Sequence, residues 1–179
     1  LGDVYKRQGS PLVILGLSNG QSLVFRHTYK VSYPEGKKTI TPAIEYPYGE
    51  TPIVLDEQGR PLEHVALNAT DSSLVVAGSA GSYLNVLSLS REENMMTGEV
   101  TSEQKRIELP QMTEPVKAIF IDPRQQWLYV INGRALADVF SLRDKSLNGR
   151  YKLLEDGNAE ITASTQLVGG ISLIVGNSK

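Results

Sequence analysis

The chain has few side chains whose types and spacing could support chemistry. No motif in the sequence supplies its two histidines, His27 and His64, with a base or metal-binding partner, and there is no cysteine. Cysteine-ligated zinc and a cysteine nucleophile are therefore excluded, and a histidine-rich metal site is disfavoured. The sequence contains neither a nucleophile elbow nor a paired-carboxylate pattern. It makes no case for an enzyme, and we expect no bound cofactor or metal.

Two sets of residues could form ligand sites but are better explained as turns. Residues 78–82 could offer backbone N–H groups to an anion, yet they lack the lysine and the following helix of a phosphate-binding loop. Residues 16–20 occupy the equivalent place after an earlier apolar run, which favours a hairpin turn at both positions. Asp122, Asp138 and Asp144 match no calcium-loop spacing. We predict all three aspartates to be solvated turn residues.

A mildly basic segment with tyrosines around it is the best candidate for contact with a partner. Tyrosine supplies rigid amphipathic contact area, and aromatic residues are enriched at protein interfaces. An ordinary solvated hairpin is the alternative. The predicted partner surface consists of Arg26, Tyr29, Lys30, Tyr33, Lys37, Lys38, Tyr46 and Tyr48.

The elements that must position these residues follow a repeat. Four apolar runs of one shape begin at Leu12, Leu74, Leu128 and Leu173. Turn residues and further apolar strands surround them, so that the unit reads as four successive strands. Units of about 40 to 50 residues with four strands are typical of propeller blades, as in WD-like repeats. The remaining predicted strands lie at 22–25, 65–68, 84–89, 104–109, 118–122, 137–142, 149–154 and 162–167.

We therefore predict an all-β fold: a partial β-propeller with about two complete four-stranded blades and a partial blade at each end. A β-sandwich is the alternative, because short alternating strands do not distinguish the two folds. The domain spans residues 9–179. A hairpin insertion at about 28–56 turns around residues 34–38 and continues as a proline-spaced extended stretch. Residues 92–101 are expected to form a long loop.

Composition bounds the function further. The 179 residues include 18 basic and 20 acidic side chains, and 40% are hydrophobic. This balance excludes nucleic-acid binding driven by bulk positive charge. No apolar stretch approaches the length of a membrane span. Residues 1–8 read as a translated sequencing adapter rather than as protein, with a genuine edge strand as the alternative. We therefore expect the chain to be a fragment of a longer reading frame.

Three long, irregular stretches carry a family resemblance. They cover residues 16–45 except for a short gap, residues 91–100 and residues 120–134. Here the chain resembles a phosphate ABC transporter permease of the large proteobacterial PstC type, and the similarity extends from about Gly16 to Lys179. Such long irregular matches are more specific than a short motif.

The resemblance implies a role that composition does not show. Permeases of this family lie in the bacterial inner membrane and pair with a second permease subunit, an ATPase subunit dimer and a periplasmic phosphate-binding protein. Their large forms carry a β-rich insertion between the first two membrane helices. This chain would then be a non-catalytic periplasmic domain, attached to the membrane through segments outside it. The resemblance brings no transport or phosphate-binding residue onto this chain. The alternative is a soluble propeller, either a binding scaffold or a lactonase-like enzyme.

Overall fold

The computed structural model describes residues 12–93, 95–98, 100–155, 160–166 and 172–178. Within these ranges the secondary structure is all β apart from one 3-10 turn, and no helix there has the length and apolarity to cross a bilayer. The prediction for residues 1–8 lies outside the described residues. The strands are β1 (Leu12–Gly16), β2 (Gln21–Ser32), β3 (Thr39–Glu45), β4 (Ile53–Val54), β5 (His64–Ala69), β6 (Ser73–Ala80), β7 (Tyr83–Glu93), β8 (Val100–Glu108), β9 (Val116–Ile121), β10 (Trp127–Asn132), β11 (Leu136–Ser141), β12 (Ser146–Lys152), β13 (Ile161–Gln166) and β14 (Leu173–Asn177).

The strands form four antiparallel sheets in chain order. The first sheet has the order β1-β2-β3, and β4 also pairs with β2. The second sheet has the order β5-β6-β7-β8, and the third sheet contains β9 to β12 in consecutive order. A two-stranded sheet of β13 and β14 follows. The predicted repeat is confirmed: each leucine-led run is a strand, and two units are complete four-stranded sheets.

The packing of the second sheet identifies the architecture. Successive residues of a strand point to opposite faces, and here both faces are buried. Val75 and Ala77 of β6 join a core cluster with Leu128 and Val130 of the third sheet. The alternate residues, led by Leu74, join a second cluster with Val24 of the first sheet. A sandwich has two layers, whereas here a central sheet is covered on both faces by its neighbours. The fold is therefore a partial β-propeller.

Aspartate and asparagine side chains close the turns between strands. The Oδ1 atom of Asp122 accepts hydrogen bonds from the backbone N–H groups of Gln126 and Trp127 at 2.6 and 2.7 Å. Asn132 does the same for Arg134 and Leu136, at 3.0 and 3.2 Å. A short polar side chain thereby replaces a missing backbone acceptor. The turn role predicted for Asp122 is confirmed, but its side chain is buried rather than solvated.

Three sequence-based predictions need correction. Asp138 is not a solvated turn residue: it lies in β11, is fully buried, and pairs with Arg150 at 2.5 Å. The loop predicted at 92–101 is shorter, because β7 and β8 continue their ladder as far as the pair Glu93 and Val100. Only the end of segment 78–82 is a turn. Gly78 lies within β6, where an added Cβ would meet Leu55 and Leu62 at 3.1 Å.

The insertion is a hairpin built on β2. Within the described residues, β1 pairs with β2 from Gly16 opposite Ser22 to Leu12 opposite Arg26, and β2 continues to Ser32 beside β3. Pro42, expected in an extended stretch, lies inside β3 opposite Tyr29. The chain then returns to pair β4 with the start of β2. We call residues 26–45 the hairpin arm.

Candidate partner-binding arm

The hairpin arm protrudes from the first sheet. Thr28 is its last buried residue, and every residue from 29 to 42 is exposed. Four basic residues, Arg26 included, and two glutamates give the arm a net positive charge, whereas the whole chain is negative. Beyond the buried residue Thr28, the arm is thus an exposed and basic element.

One face of the arm is apolar. Tyr29, Val31, Ile40 and Ile44 have exposed fractions of 48%, 40%, 56% and 55%. Val31 lies directly opposite Ile40 in the ladder, and Ile44 lies opposite His27. Residues opposite one another in an antiparallel pair share a face, so these four side chains line the same side of the ribbon.

The apolar face continues onto the body of the first sheet. Val13 and Leu15 of β1 lie opposite Phe25 and Leu23, and Val54 of β4 lies opposite Gln21. These odd-numbered β2 residues share the face of Tyr29. Val13, Leu15 and Val54 are also exposed, at 37%, 46% and 43%. Seven large exposed apolar residues on one sheet face form a contiguous patch, which in a folded protein marks an interaction surface.

The other face of β2 turns towards the second sheet. Val24 contributes to the core there, and Thr28 is buried. Arg26 lies opposite Glu45, and its Nε atom is buried without a hydrogen-bond partner in the part of the chain that the structure describes. Lys30 is on this same side of the ribbon but is exposed.

The structure divides the predicted partner surface among four places. Tyr29 is on the apolar face, while Arg26 and Lys30 are on the opposite one. The tip carries the exposed residues Tyr33, Lys37 and Lys38 around the 3-10 turn Pro34–Gly36. Tyr46 and Tyr48 lie on residues 46–60, which we call the return segment, and are half-buried. Tyr48 packs against the core cluster that contains Val24.

Sequence reasoning missed the aliphatic part of the surface. Val31, Ile40 and Ile44 carry neither a charge nor an aromatic ring, and the predicted surface was defined by tyrosines and basic residues. The alternation at 27, 29, 31 and at 40, 42, 44 was visible in the sequence. The hairpin register was needed to bring both series onto one face.

A buried carboxylate anchors the return segment that follows the arm. The Oδ2 atom of Asp56 accepts hydrogen bonds from Arg60 Nε and Nη2 at 3.0 and 2.7 Å and from Asn85 Nδ2 at 3.0 Å. Arg106 donates to the carbonyl oxygens of Leu55 and Val54 at 2.5 and 3.1 Å. The return segment is thereby held on β7 and β8.

The groups around Asp56 favour the charged state of its carboxylate. Burial alone raises the pKa of Asp56, but the hydrogen bonds from Arg60 and Asn85 outweigh it and lower that pKa below its ordinary value. Asp56 in turn raises the pKa of Arg60. The Arg60 guanidinium also lies 3.6 Å above the centre of the Tyr83 ring, a cation–π contact.

The two histidines lie in different elements of the fold. His27 is exposed on the arm, and His64 is half-buried at the start of β5 opposite Ser79. Among the residues that the structure describes, no group of three or more His, Cys, Asp or Glu side chains could hold a metal ion. The first sheet and its arm offer an apolar face, a basic tip and a rigid base.

Comparisons with known proteins give no family. No family model and no curated protein matches the chain. Two similar solved structures are the Pan2 WD40 domain of Neurospora crassa and apo AztD of Citrobacter koseri. The TM-scores are 0.33 and 0.32 and the identities are 10% and 9%, with 82% of this chain covered in both. The chain spans 51% and 59% of those two chains. Likenesses this weak add nothing to the function.

Proposed function

We propose that this chain is a non-catalytic periplasmic domain of a phosphate ABC transporter permease, and that its hairpin arm docks a protein partner of the transporter. The long resemblance between residues 16 and 179 supports the transporter context. The observation that carries the docking role is the exposed arm itself, because a ribbon with four exposed apolar residues on one face needs a covering surface.

The chemistry of the arm defines the partner. Its apolar face fits an apolar patch, and the tip residues Lys37 and Lys38 fit carboxylates at the rim of that patch. The periplasmic phosphate-binding protein is the partner that we assign to it. Rim charges mainly set the association rate and its salt dependence, while buried apolar contacts hold the complex.

The transporter context is tested by sequencing the reading frame on both sides of this segment. We expect an apolar span of about 20 residues on each side, the length that crosses a bilayer. A secretory signal with no later span would contradict the permease and favour a soluble propeller.

The docking role is tested in the complete transporter with its phosphate-binding protein. The variant Lys37→Glu/Lys38→Glu reverses the charge of the tip, and Lys105→Glu/Lys117→Glu makes the same charge change on exposed lysines elsewhere. We expect the tip variant to lower the association rate of the binding protein several-fold more than the control, most strongly at low salt. Equal effects of the two variants would contradict docking through the arm.

Phosphate titration separates docking from substrate binding. The lysines of the arm lack the converging N–H donors or bidentate arginine of a phosphate site. Calorimetry of the chain with phosphate, and with sulfate as control, should therefore show no saturable heat. Phosphate-selective heat that Lys37→Ala/Lys38→Ala abolishes would make the arm a substrate site instead.

A further inference from the structure

An aromatic groove lies on the outer face of the third sheet. Its volume is about 390 Å³. The register places Tyr129 opposite Val139 and Ala137 opposite Tyr151, so these side chains share one face. The residues lining the groove are Trp127, Tyr129, Ala137, Val139, Asn148, Tyr151, Leu153 and Leu173.

The two-stranded sheet of β13 and β14 already covers part of this face. Gln166 of β13 donates a hydrogen bond from Nε2 to the carbonyl oxygen of Ile121 in β9, at 3.3 Å. Leu173 of β14 borders the groove. Ile131 of β10, on the same face as Tyr129, is fully buried. The groove is the part of this face, over β11 and β12, that the described residues leave uncovered.

The interface between the second and third sheets shows how such a groove is filled. There, Leu84 and Val86 of β7 and Ile107 of β8 pack into the cluster that holds Phe140 and Leu142. These residues come from the third and fourth strands of the second sheet. In the described residues, β13 and β14 correspond to the first and second strands of a repeat, since β14 is the run that begins at Leu173.

We propose that the groove is the seat of two further strands, which extend the sheet of β13 and β14 to four. The occupant is a β-hairpin encoded after β14 in the same reading frame, with apolar residues on the side that faces Tyr129 and Tyr151. This inference rests on the packing of the sheets and is independent of the proposed transporter role.

Trp127 reports directly on the occupant. It is the only tryptophan of the chain, and it lines the groove at half burial. The experiment compares the 179-residue chain with the same chain extended by one repeat, about 50 residues of its own reading frame. We expect a blue-shifted Trp127 emission and a several-fold smaller acrylamide quenching constant in the extended chain.

Two substitutions on β12 make the test specific. Tyr151 and Leu147 are both exposed, at 56% and 44%, and the register puts them on opposite faces of the third sheet. In the extended chain, Tyr151→Glu should restore the quenching of Trp127, and Leu147→Glu should not. Circular dichroism of the same samples checks that both variants are folded.

Four results would overturn the proposal. The first is a reading frame that stops before another apolar run, and the second is equal quenching in the two chain lengths. The third is an equal effect of the two glutamate variants in the extended chain. The fourth is a blue shift in the 179-residue chain that grows with concentration as the mass doubles, which would make a second copy the occupant.

Discussion

At the scale of single residues, Asp56 links the return segment of the arm to the second sheet. Its side chain is fully buried, and it accepts hydrogen bonds from Arg60, Asn85 and the backbone N–H of Gln58. Removing this carboxylate leaves the donor groups of Asn85 and Gln58 without their acceptor, whereas the Arg60 side chain is 34% exposed and can turn to water. We expect Asp56→Ala to lower the free energy of unfolding by about 2 kcal/mol, measured by urea denaturation.

The adjacent acidic residue is the matched control. Glu57 pairs with Arg106 at 3.1 Å, but its side chain is 68% exposed. Exposed ion pairs contribute little because water screens them, so Glu57→Ala should cost less than about 1 kcal/mol. Similar losses for both variants would show that Asp56 has no special place in the fold.

The same carboxylate predicts a pH dependence. The pKa of Asp56 is lower in the folded chain than its unfolded value of about 3.9. Its stabilising contribution is therefore complete above that unfolded value and is lost as the pH falls through the folded pKa. The difference in unfolding free energy between the wild type and Asp56→Asn should shrink from about pH 6 towards about pH 3. A difference that stays constant over this range would contradict the assignment.

Single aspartates were the least predictable part of the sequence. Asp122 is followed by Pro123, and this local turn chemistry made its role readable. Asp138 is buried because Arg150 of the neighbouring strand pairs with it, and the two are twelve positions apart. Only the ladder between β11 and β12 brings them together, and sequence spacing alone does not give that register.

At the scale of elements, the hairpin arm should be separable from the rest of the fold. Residues 29–42 are all exposed, and Thr28 lies opposite Ala43. A two-residue Asn-Gly turn can join these positions, since it forms the turn that strand twist favours. Replacing residues 29–42 by Asn-Gly should change the free energy of unfolding by less than about 1 kcal/mol. Thermal and urea unfolding provide the measurement.

This truncation also supplies an arm-free protein for the transporter experiment. A loss of several kcal/mol would instead mean that the arm packs against the rest of the molecule. In that case its exposed residues would be part of the fold rather than a docking surface.

Strand positions were predictable, but strand lengths were not. Leucine-led runs with turn residues between them located β6, β10 and β14 to within a residue or two. β7 runs beyond the end of β6, and β2 runs beyond the described part of β1, because each of them continues to pair with the strand that follows it. Polar residues at these ends, such as Glu92 and Glu93, suggest a loop when only the sequence of their own strand is considered. Cross-strand pairing keeps them in the ladder.

At the scale of the whole molecule, the residues that the structure describes leave two apolar faces open. One is the outer face of the first sheet, with Val13, Leu15 and the apolar side of the arm. The other is the groove beside Trp127 on the third sheet. The repeat predicted a partial propeller, and stacked sheets necessarily leave a face uncovered at each end of the stack. The sequence did not show which residues form those faces, because that depends on the register of every pair.

These open faces predict association of the chain in solution. Two copies can cover the first-sheet face by packing face to face, as sheets of a sandwich do. Light scattering during size-exclusion chromatography should show a mass above that of a monomer, increasing with concentration. Val13→Lys/Leu15→Lys places charges on this face and should restore the monomer, whereas Leu147→Lys, an exposed apolar residue of the third sheet, should not. Because the groove takes no part, Trp127 emission should stay unchanged as the copies separate. A wild-type chain that is a monomer at every concentration would contradict the prediction and show that the exposed face tolerates water.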